Sequence, residues 1–353
     1  MLIAIHQHAE RFFQAHHRGS WVPDYLVERG FDTVTQRQWG AGYAPNEWRA
    51  LTHHLRNLGF GDTAIEASGL ARRTTRKTLV DFFRDRAVFP IKDPDGTTIA
   101  FIGRSRHSDP KYLNSPHTPI YAKGQTLLGL HAITTHSTPV ITEGPLDAMA
   151  VTLAGQGRMT GLALCGTALT PDQVKALAAA TDLSNSGVLI ALDNDRAGQE
   201  AAVRSYALFK DRCTTDAIAL PRGCDPATVL RDAGPATLSL LLREKVLPLA
   251  DLVTDAAIAP WQHSLQYAEG RLGALRSAGK AIAAMAPHDV PRQVARVAAR
   301  LNFDHAMVTE TTVDAVSAHL AIGDFPLPPT AGNTTARHSG RKPNERPPRG
   351  PTP

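Results

Sequence analysis

The chain is poor in cysteine: Cys165, Cys213 and Cys224 are the only three in 353 residues, widely spaced and without a CxxC or CxxH partner. That excludes a zinc ribbon and a disulfide framework, and leaves three small buried or half-buried thiols. Long hydrophobic runs are missing too. No stretch approaches the roughly 18 uninterrupted apolar residues of a membrane span, and the start, MLIAIHQHAERFF, lacks the basic, apolar and small-residue succession of a secretory leader. A cytoplasmic protein with no membrane partner is expected. A G-x-x-x-x-G-K-[ST] phosphate loop is absent, which removes a Walker-type ATPase, and no histidine has an H-E-x-x-H frame. The histidines, among them the pairs His16-His17 and His53-His54, are therefore read as surface or helix-face residues.

What is present fits a globular enzyme of two or three compact units: 42% of residues are hydrophobic and 20% charged. The net charge of +5 is unevenly spread. Residues 331–353 set Arg337, Arg341, Lys342, Arg346 and Arg349 against Glu345, and residues 71–123 set eleven Lys or Arg against five Asp. The remainder is acidic by difference. A basic block inside an otherwise acidic chain points to an anionic partner held at one place.

Hydrophobic spacing divides the chain. Residues 1–68 repeat apolar positions at helical intervals, with Gly30, Gly40 and Pro45 as breaks. RDRAVFPIKDPDGTTIAFIGRS places two apolar runs around Asp93-Pro94-Asp95-Gly96, a hairpin pattern. From 139 to 220, strand-like PVIT, LALC, GVLIAL and DAIAL alternate with helix-like pieces, which builds a parallel sheet covered by helices. The fold class is α/β (α+β overall). A mixed, basic N-terminal subdomain (1–136) precedes the parallel-sheet domain (137–226), a helical subdomain (227–321) and a disordered Pro/Arg-rich tail (322–353).

Ligands of α/β sheets bind where strands end and helices begin. Glu143 follows the first strand of the alternating segment, and Asp193 and Asp195 follow the third, two residues apart and so on one face of an extended segment. Three converging carboxylates repel one another unless a cation lies between them, and hard oxygen donors of this kind suit Mg²⁺ or Mn²⁺. Asp195 can instead cap the helix that starts near Ala197.

TEGPLDAM, CGTALT and ALDNDRAGQEAA resemble a Toprim domain, the module shared by bacterial-type primases, several topoisomerases and some nucleases; the D-x-D-x-A-G form at Asp193, Asp195, Ala197 and Gly198 resembles the primase branch. FFRDRAVFPIKDPDGTTIAFIGRS and PKYLNSPHTPIYAKGQTLLGL closely resemble the basic subdomain of the bacterial DnaG-type primase catalytic core, and GYAPNEW is similar to the stretch near that core's start. The resemblance spans about residues 5–320. It implies metal-dependent synthesis of short RNA primers from ribonucleoside triphosphates on single-stranded DNA, in chromosomal, plasmid or phage replication.

By the same resemblance Glu143, Asp193 and Asp195 are catalytic and bind Mg²⁺ or Mn²⁺, Glu143 as ligand or general base, and Asp225 supports a second ion. Arg84, Arg86, Arg104, Lys111, Asn114 and Lys123 contact nucleic acid or nucleotide. Gly144 and Gly198 allow close backbone approach. The chain departs from the family at Asn194, commonly Gly, and at Ala227, where a second Asp often follows the one matched by Asp225. The family's zinc-binding and helicase-interaction domains have no counterpart, so no zinc is expected, and a replicative helicase or a separate zinc-binding protein is the implied partner. Two other readings stay open: a Toprim-type nuclease or topoisomerase-like strand-cleaving enzyme, and a degenerate core that only binds single-stranded DNA.

Overall fold

Ile5, Ala9, Phe12 and Phe13 recur at helical spacing. In the computed structural model, which describes residues 1–321 apart from 108, 167 and 193–195, they form the buried stripe of α1 (Leu2–Ala15). His6 lies on the same stripe, one of the histidines expected at surface or helix-face positions, and it takes the buried face of its helix. It is fully buried, its ring stacks on Phe101 at 5.8 Å, and its Nδ1 lies 2.9 Å from the Leu2 carbonyl oxygen. Helices α2 (Val22–Glu28) and α3 (Thr33–Gln38) follow, then strand β1 (Gly42–Ala44), α4 (Ala50–Asn57) and α5 (Asp62–Ala67). The helical reading of residues 1–68 misses β1 because three residues are too few to show alternation.

A small hairpin of β2 (Ala71–Arg73) and β3 (Leu79–Asp81) leads into the expected larger one, β4 (Arg86–Lys92) and β5 (Thr98–Ser105). Its turn is built by Asp93, whose Oδ1 accepts the N–H groups of Asp95 and Thr97, and by Gly96 at φ +80°. With β6 (Tyr112–Asn114) these strands form a four-stranded sheet in the order β1-β4-β5-β6. Phe13, Phe83 and Phe101 fill the core between this sheet and α1, Phe13 and Phe101 meeting edge to face at 5.3 Å.

The second sheet takes β7 (Leu127–Leu128), β8 (Thr138–Thr142), β9 (Met159–Leu164), β10 (Val188–Ile190), β11 (Thr215–Ile218) and β12 (Val246–Pro248) in the order β12-β11-β10-β8-β9-β7. Its four central strands are parallel, as expected. Both edges are antiparallel, so the sheet is mixed. The edge strands come from outside the alternating segment and have only two or three residues, too short for periodicity to announce them. Helices α6 (Pro145–Gly155), α7 (Pro171–Ala180), α8 (Leu183–Ser186) and α9 (Arg196–Phe209) connect the strands.

Successive strand residues face opposite layers. Val140 and Ala163 pack toward α6 and α10 (Pro226–Glu244), while Ile141 and Leu162 pack toward α7 and α9. Helix α10 is broken at Gly234 (φ +80°), just before Pro235. It and β12, assigned in sequence to the helical segment 227–321, thus complete the second sheet and its cover. Gly161 explains how close α6 lies to β9, since a Cβ there would come 2.2 Å from the Ala148 carbonyl oxygen.

Helices α11 (Leu249–Ile258), α12 (Ala268–Ala283), α13 (Val290–Leu301) and α14 (His305–Ala321) close the far face. Asp251 and Asp255, one turn apart on α11, meet Arg292, Arg296 and Arg300 on α13, a ladder that fixes the register of the two helices. No helix among the described residues is long and apolar enough to cross a membrane. The tail expected to be disordered, 322–353, lies outside the described residues.

Candidate active site

β8 ends at Thr142, and Glu143 and Gly144 turn the chain into α6. Asp147, in the first turn of α6, is buried. Its Oδ2 accepts the Gly144 N–H at 3.1 Å and its Oδ1 accepts the Ala227 N–H, in the first turn of α10, at 3.2 Å. Asp225 caps α10 by accepting the Thr228 N–H. Glu143, exposed, and Asp225, half-buried, therefore stand at two helix N-termini held to each other. Gly144 is closely packed, since a Cβ there would approach Asp147 Oδ2 to 3.0 Å and the Tyr112 hydroxyl to 3.2 Å.

The first sheet meets this edge through β6. Lys111, Tyr112, Asn114, Glu143, Gly144, Asp147, Gly166, Leu192, Ala197, Ala201, Arg204 and Asp225 all line one cleft of about 430 Å³. Asn114 Oδ1 is buried in its wall without a hydrogen-bond partner. Lys123 lies beside Gly166, its Cε 3.4 Å from where a Cβ of that glycine would sit. Tyr112 receives a hydrogen bond from Arg104 Nη1 at 2.8 Å, and burial raises its hydroxyl pKa while the Arg104 charge acts the other way.

The expected basic contacts thus divide. Lys111 and Asn114 line the cleft and Lys123 reaches its wall. Arg86 and Arg104 are buried: Arg86 Nη1 donates to the carbonyls of Gly103, Pro110 and Lys111, and Arg104 lies between the Tyr25 and Tyr112 rings, 5.3 and 5.2 Å from their centroids. Both hold the Lys111–Asn114 segment rather than face solvent. Arg84 sits apart, stacked on Trp48. Gly198 is buried in the first turn of α9.

Asp193, Asn194 and Asp195 lie outside the described residues; their neighbours Leu192 and Ala197 border the cleft. Among the described residues no three His, Cys, Asp or Glu side chains gather closely enough to hold a metal ion. The donors that are described, the carboxylates of Glu143 and Asp225, are of the hard oxygen type a divalent cation takes, so the residues present fit one. Sequence reasoning missed Asp147, Tyr112 and Arg204. A carboxylate three residues after Gly144 is a capping-box position, and Ala197, Ala201 and Arg204 form one helical stripe, so two of the three left a readable signal.

Residues 9–134 match the family described as the N-terminal domain of the DNA primase catalytic core, and residues 140–230 match the Toprim-like family. The chain belongs to the DnaG-type primase catalytic-core family. It is 34% identical over 284 residues to the DNA primase of Streptomyces coelicolor, covering 77% of this chain and 43% of that protein. It also resembles the RNA polymerase domain of Mycobacterium tuberculosis primase DnaG solved with double-stranded DNA, at a TM-score of 0.72 and 29% identity over 86% of this chain and 98% of that one. A DnaG primase catalytic domain bound to single-stranded DNA matches at a TM-score of 0.71 and 26% identity, over 87% and 98% of the two chains. The chain spans about two fifths of the length of the curated primases it matches. Toprim primases as a class are metal-dependent.

Proposed function

We propose that this DnaG-type core is the catalytic part of a DNA primase. It takes single-stranded DNA as template and ribonucleoside triphosphates as substrates, joins them into short RNA primers in the cytoplasm, and works beside a replicative helicase or a separate zinc-binding protein. The observation that supports the reading is the cleft at the end of β8, which brings Lys111 and Asn114 together with Glu143 and Asp225. A lysine beside carboxylates at the end of a strand suits a triphosphate held with its divalent cation.

Glu143, Asp193 and Asp195 would hold Mg²⁺ or Mn²⁺, with Asp225 supporting a second ion; when bound, such ions neutralise the triphosphate and favour ionisation of the primer 3′-hydroxyl. Lys111 and Lys123 offset the repulsion between template and triphosphate. Asn114 orients a base or phosphate through its amide. The primer 3′-oxygen forms a bond to the α-phosphorus, pyrophosphate leaves, and Glu143 serves as ligand or takes the proton.

Strand cleavage by the cleft tyrosine is disfavoured. The Tyr112 hydroxyl is engaged by Arg104, and its pKa is raised by burial, opposite to what a nucleophile needs. Incubating the chain with single-stranded templates, ribonucleotides and Mg²⁺ or Mn²⁺, and resolving the products by size, tests the proposal: primers appear if it holds, and binding without synthesis supports the degenerate-core reading instead.

A further inference from the structure

Lys123 belongs to no strand. It stands second in the turn Ala122–Gln125, between β6 and β7, which the Gln125 N–H closes on the Ala122 carbonyl at 2.9 Å. Tyr121, 2% exposed, anchors the turn on one side, in the same apolar cluster as Leu128 and Cys165. On the other side the turn is gripped by the start of α7. The Thr170 hydroxyl donates to the Gly124 carbonyl, and Gln173 Nε2 donates to the carbonyls of Thr126 at 2.8 Å and Lys123 at 3.4 Å. Three carbonyls within four residues thus end on two side chains that lie 46 to 50 residues further along the chain.

The same two residues start α7. Thr170 Oγ1 accepts the Gln173 N–H and Gln173 Oε1 accepts the Thr170 N–H, both at 3.1 Å, which is a capping box. Capping alone is served by Glu as well as by Gln at this position. Only the amide carries a donor as well. Gln173 is 1% exposed and its Nε2 faces two carbonyl oxygens, so what the amide adds over a carboxylate is its hold on the loop. The connection from β9 to Thr170 also contains Gly166 of the cleft wall, beside which the Lys123 side chain lies. One short piece of chain therefore borders the cleft and holds the lysine against it.

We propose that Gln173 and Thr170 are positioning residues for Lys123: the capping box of α7 doubles as a clamp that sets this lysine at the cleft wall, where it takes phosphate oxygens of template or nucleotide. A lysine is a point charge on a flexible four-carbon stem. Fixing its main chain before the ligand arrives removes part of the ordering cost of binding. The assignment rests on the primase reading for Lys123 as a phosphate contact; the clamp itself is geometry.

Gln173→Glu separates the two roles. The carboxylate still accepts the Thr170 N–H, and an acid in the first turn suits a helix N-terminus, but it has no donor for the Lys123 and Thr126 carbonyls. Gln173→Met, of similar length and with neither donor nor acceptor, replaces it if Q173E melts well below wild type. Binding is followed by fluorescence anisotropy with labelled oligo-dT and with a fluorescent ATP analogue in Mg²⁺, for wild type, K123A, the Gln173 variant and the two changes combined. K123A weakens one probe or both by about ten- to a hundred-fold, the range for one hydrogen bond to a charged group, and so identifies the phosphate that Lys123 holds. The Gln173 variant weakens the same probe by a smaller factor, and the double variant binds it no worse than K123A alone, because a residue acting through Lys123 has nothing left to position. Where that probe is oligo-dT, the salt slope falls with the affinity by up to about 0.7, which a mere loosening of α7 does not produce. Full affinity in the Gln173 variant, effects that multiply in the double variant, or a K123A without effect on either probe overturns the proposal. Primer synthesis by the wild-type chain is scored separately: if it fails while the Gln173 variant still acts through Lys123, the clamp stands and the polymerase reading falls.

Discussion

The Asp147 carboxylate on α6 accepts the main-chain N–H of Ala227 on α10 at 3.2 Å, across 80 residues of sequence. Its second oxygen holds Gly144. One side chain therefore ties together the two helix starts that carry Glu143 and Asp225, and sets how far apart those carboxylates stand. Ala227 itself is buried.

Asp147→Asn tests that role. The amide keeps one acceptor and turns the other into a donor facing an N–H, which leaves a buried donor unmade at a cost of about 1–3 kcal/mol. The variant is expected to melt at a lower temperature and to need more Mg²⁺ for half-maximal primer synthesis. A Mg²⁺ titration with unshifted midpoint would show that the link does not position the metal carboxylates.

Much of this was legible in sequence, for local reasons. The hairpin 86–105 carries its turn chemistry within four residues, and the βα alternation from 139 to 220 repeats often enough to be read. Glu143 is expected at a strand end because ligands sit there, and it does follow β8 directly. What escaped depends on partners distant in sequence: β1, β7 and β12 are too short to show a pattern, and their pairing is decided elsewhere in the chain. Arg86 and Arg104, expected to contact nucleic acid or nucleotide, lie in strands buried along nearly their whole length, where a guanidinium is held by carbonyls or a hydroxyl.

Glu143→Gln and Asp193→Ala are expected to abolish primer synthesis while leaving the melting temperature near wild type. Glu143 is exposed at a strand end, so the amide costs the sheet no packing. Circular dichroism melting alongside a gel assay of radiolabelled ribonucleotide incorporation checks both halves. Undiminished incorporation in either variant removes that residue from the metal site.

Stability should fall on acidification through histidine. His6 is fully buried, and desolvation holds its pKa below the ordinary value near 6.5. An imidazole whose folded pKa is depressed binds protons more readily when unfolded. Its stabilising contribution is complete above pH 6.5 and is lost as pH falls from there toward the lowered folded value. Nε2 has no partner, so a proton there would be a buried, unpaired charge. His17 and His54 are lowered by burial as well and act in the same direction. His6→Phe keeps the stack on Phe101 and removes one titrating group, so its melting temperature should drop less than wild type between pH 7.5 and 5.5, about one unit either side of the free histidine value. Parallel melting curves for the two proteins would assign the acid sensitivity to the other histidines.

Lys111 and Arg86 should separate ligand binding from scaffolding. Lys111 lines the cleft, its Nζ 5.6 Å from the Tyr112 ring centroid. Arg86 is 7% exposed and donates to three carbonyls, including that of Lys111. Lys111→Ala is therefore expected to melt like wild type, to weaken binding of template or nucleotide, and to lower the salt slope by about 0.7, the share of a single phosphate neutralised on a single strand. Arg86→Ala removes the buried guanidinium and its bonds to the Gly103, Pro110 and Lys111 carbonyls, each contributing about 1 kcal/mol, so it should melt below wild type. Arg86→Lys sharpens the contrast: the charge is kept, but the ammonium replaces a larger planar group whose Nη1 reaches all three carbonyls, and stability should recover only in part. If Arg86→Ala instead keeps its melting temperature and changes only the salt slope, the buried guanidinium reaches phosphate when DNA binds, and the sequence expectation for Arg86 is restored.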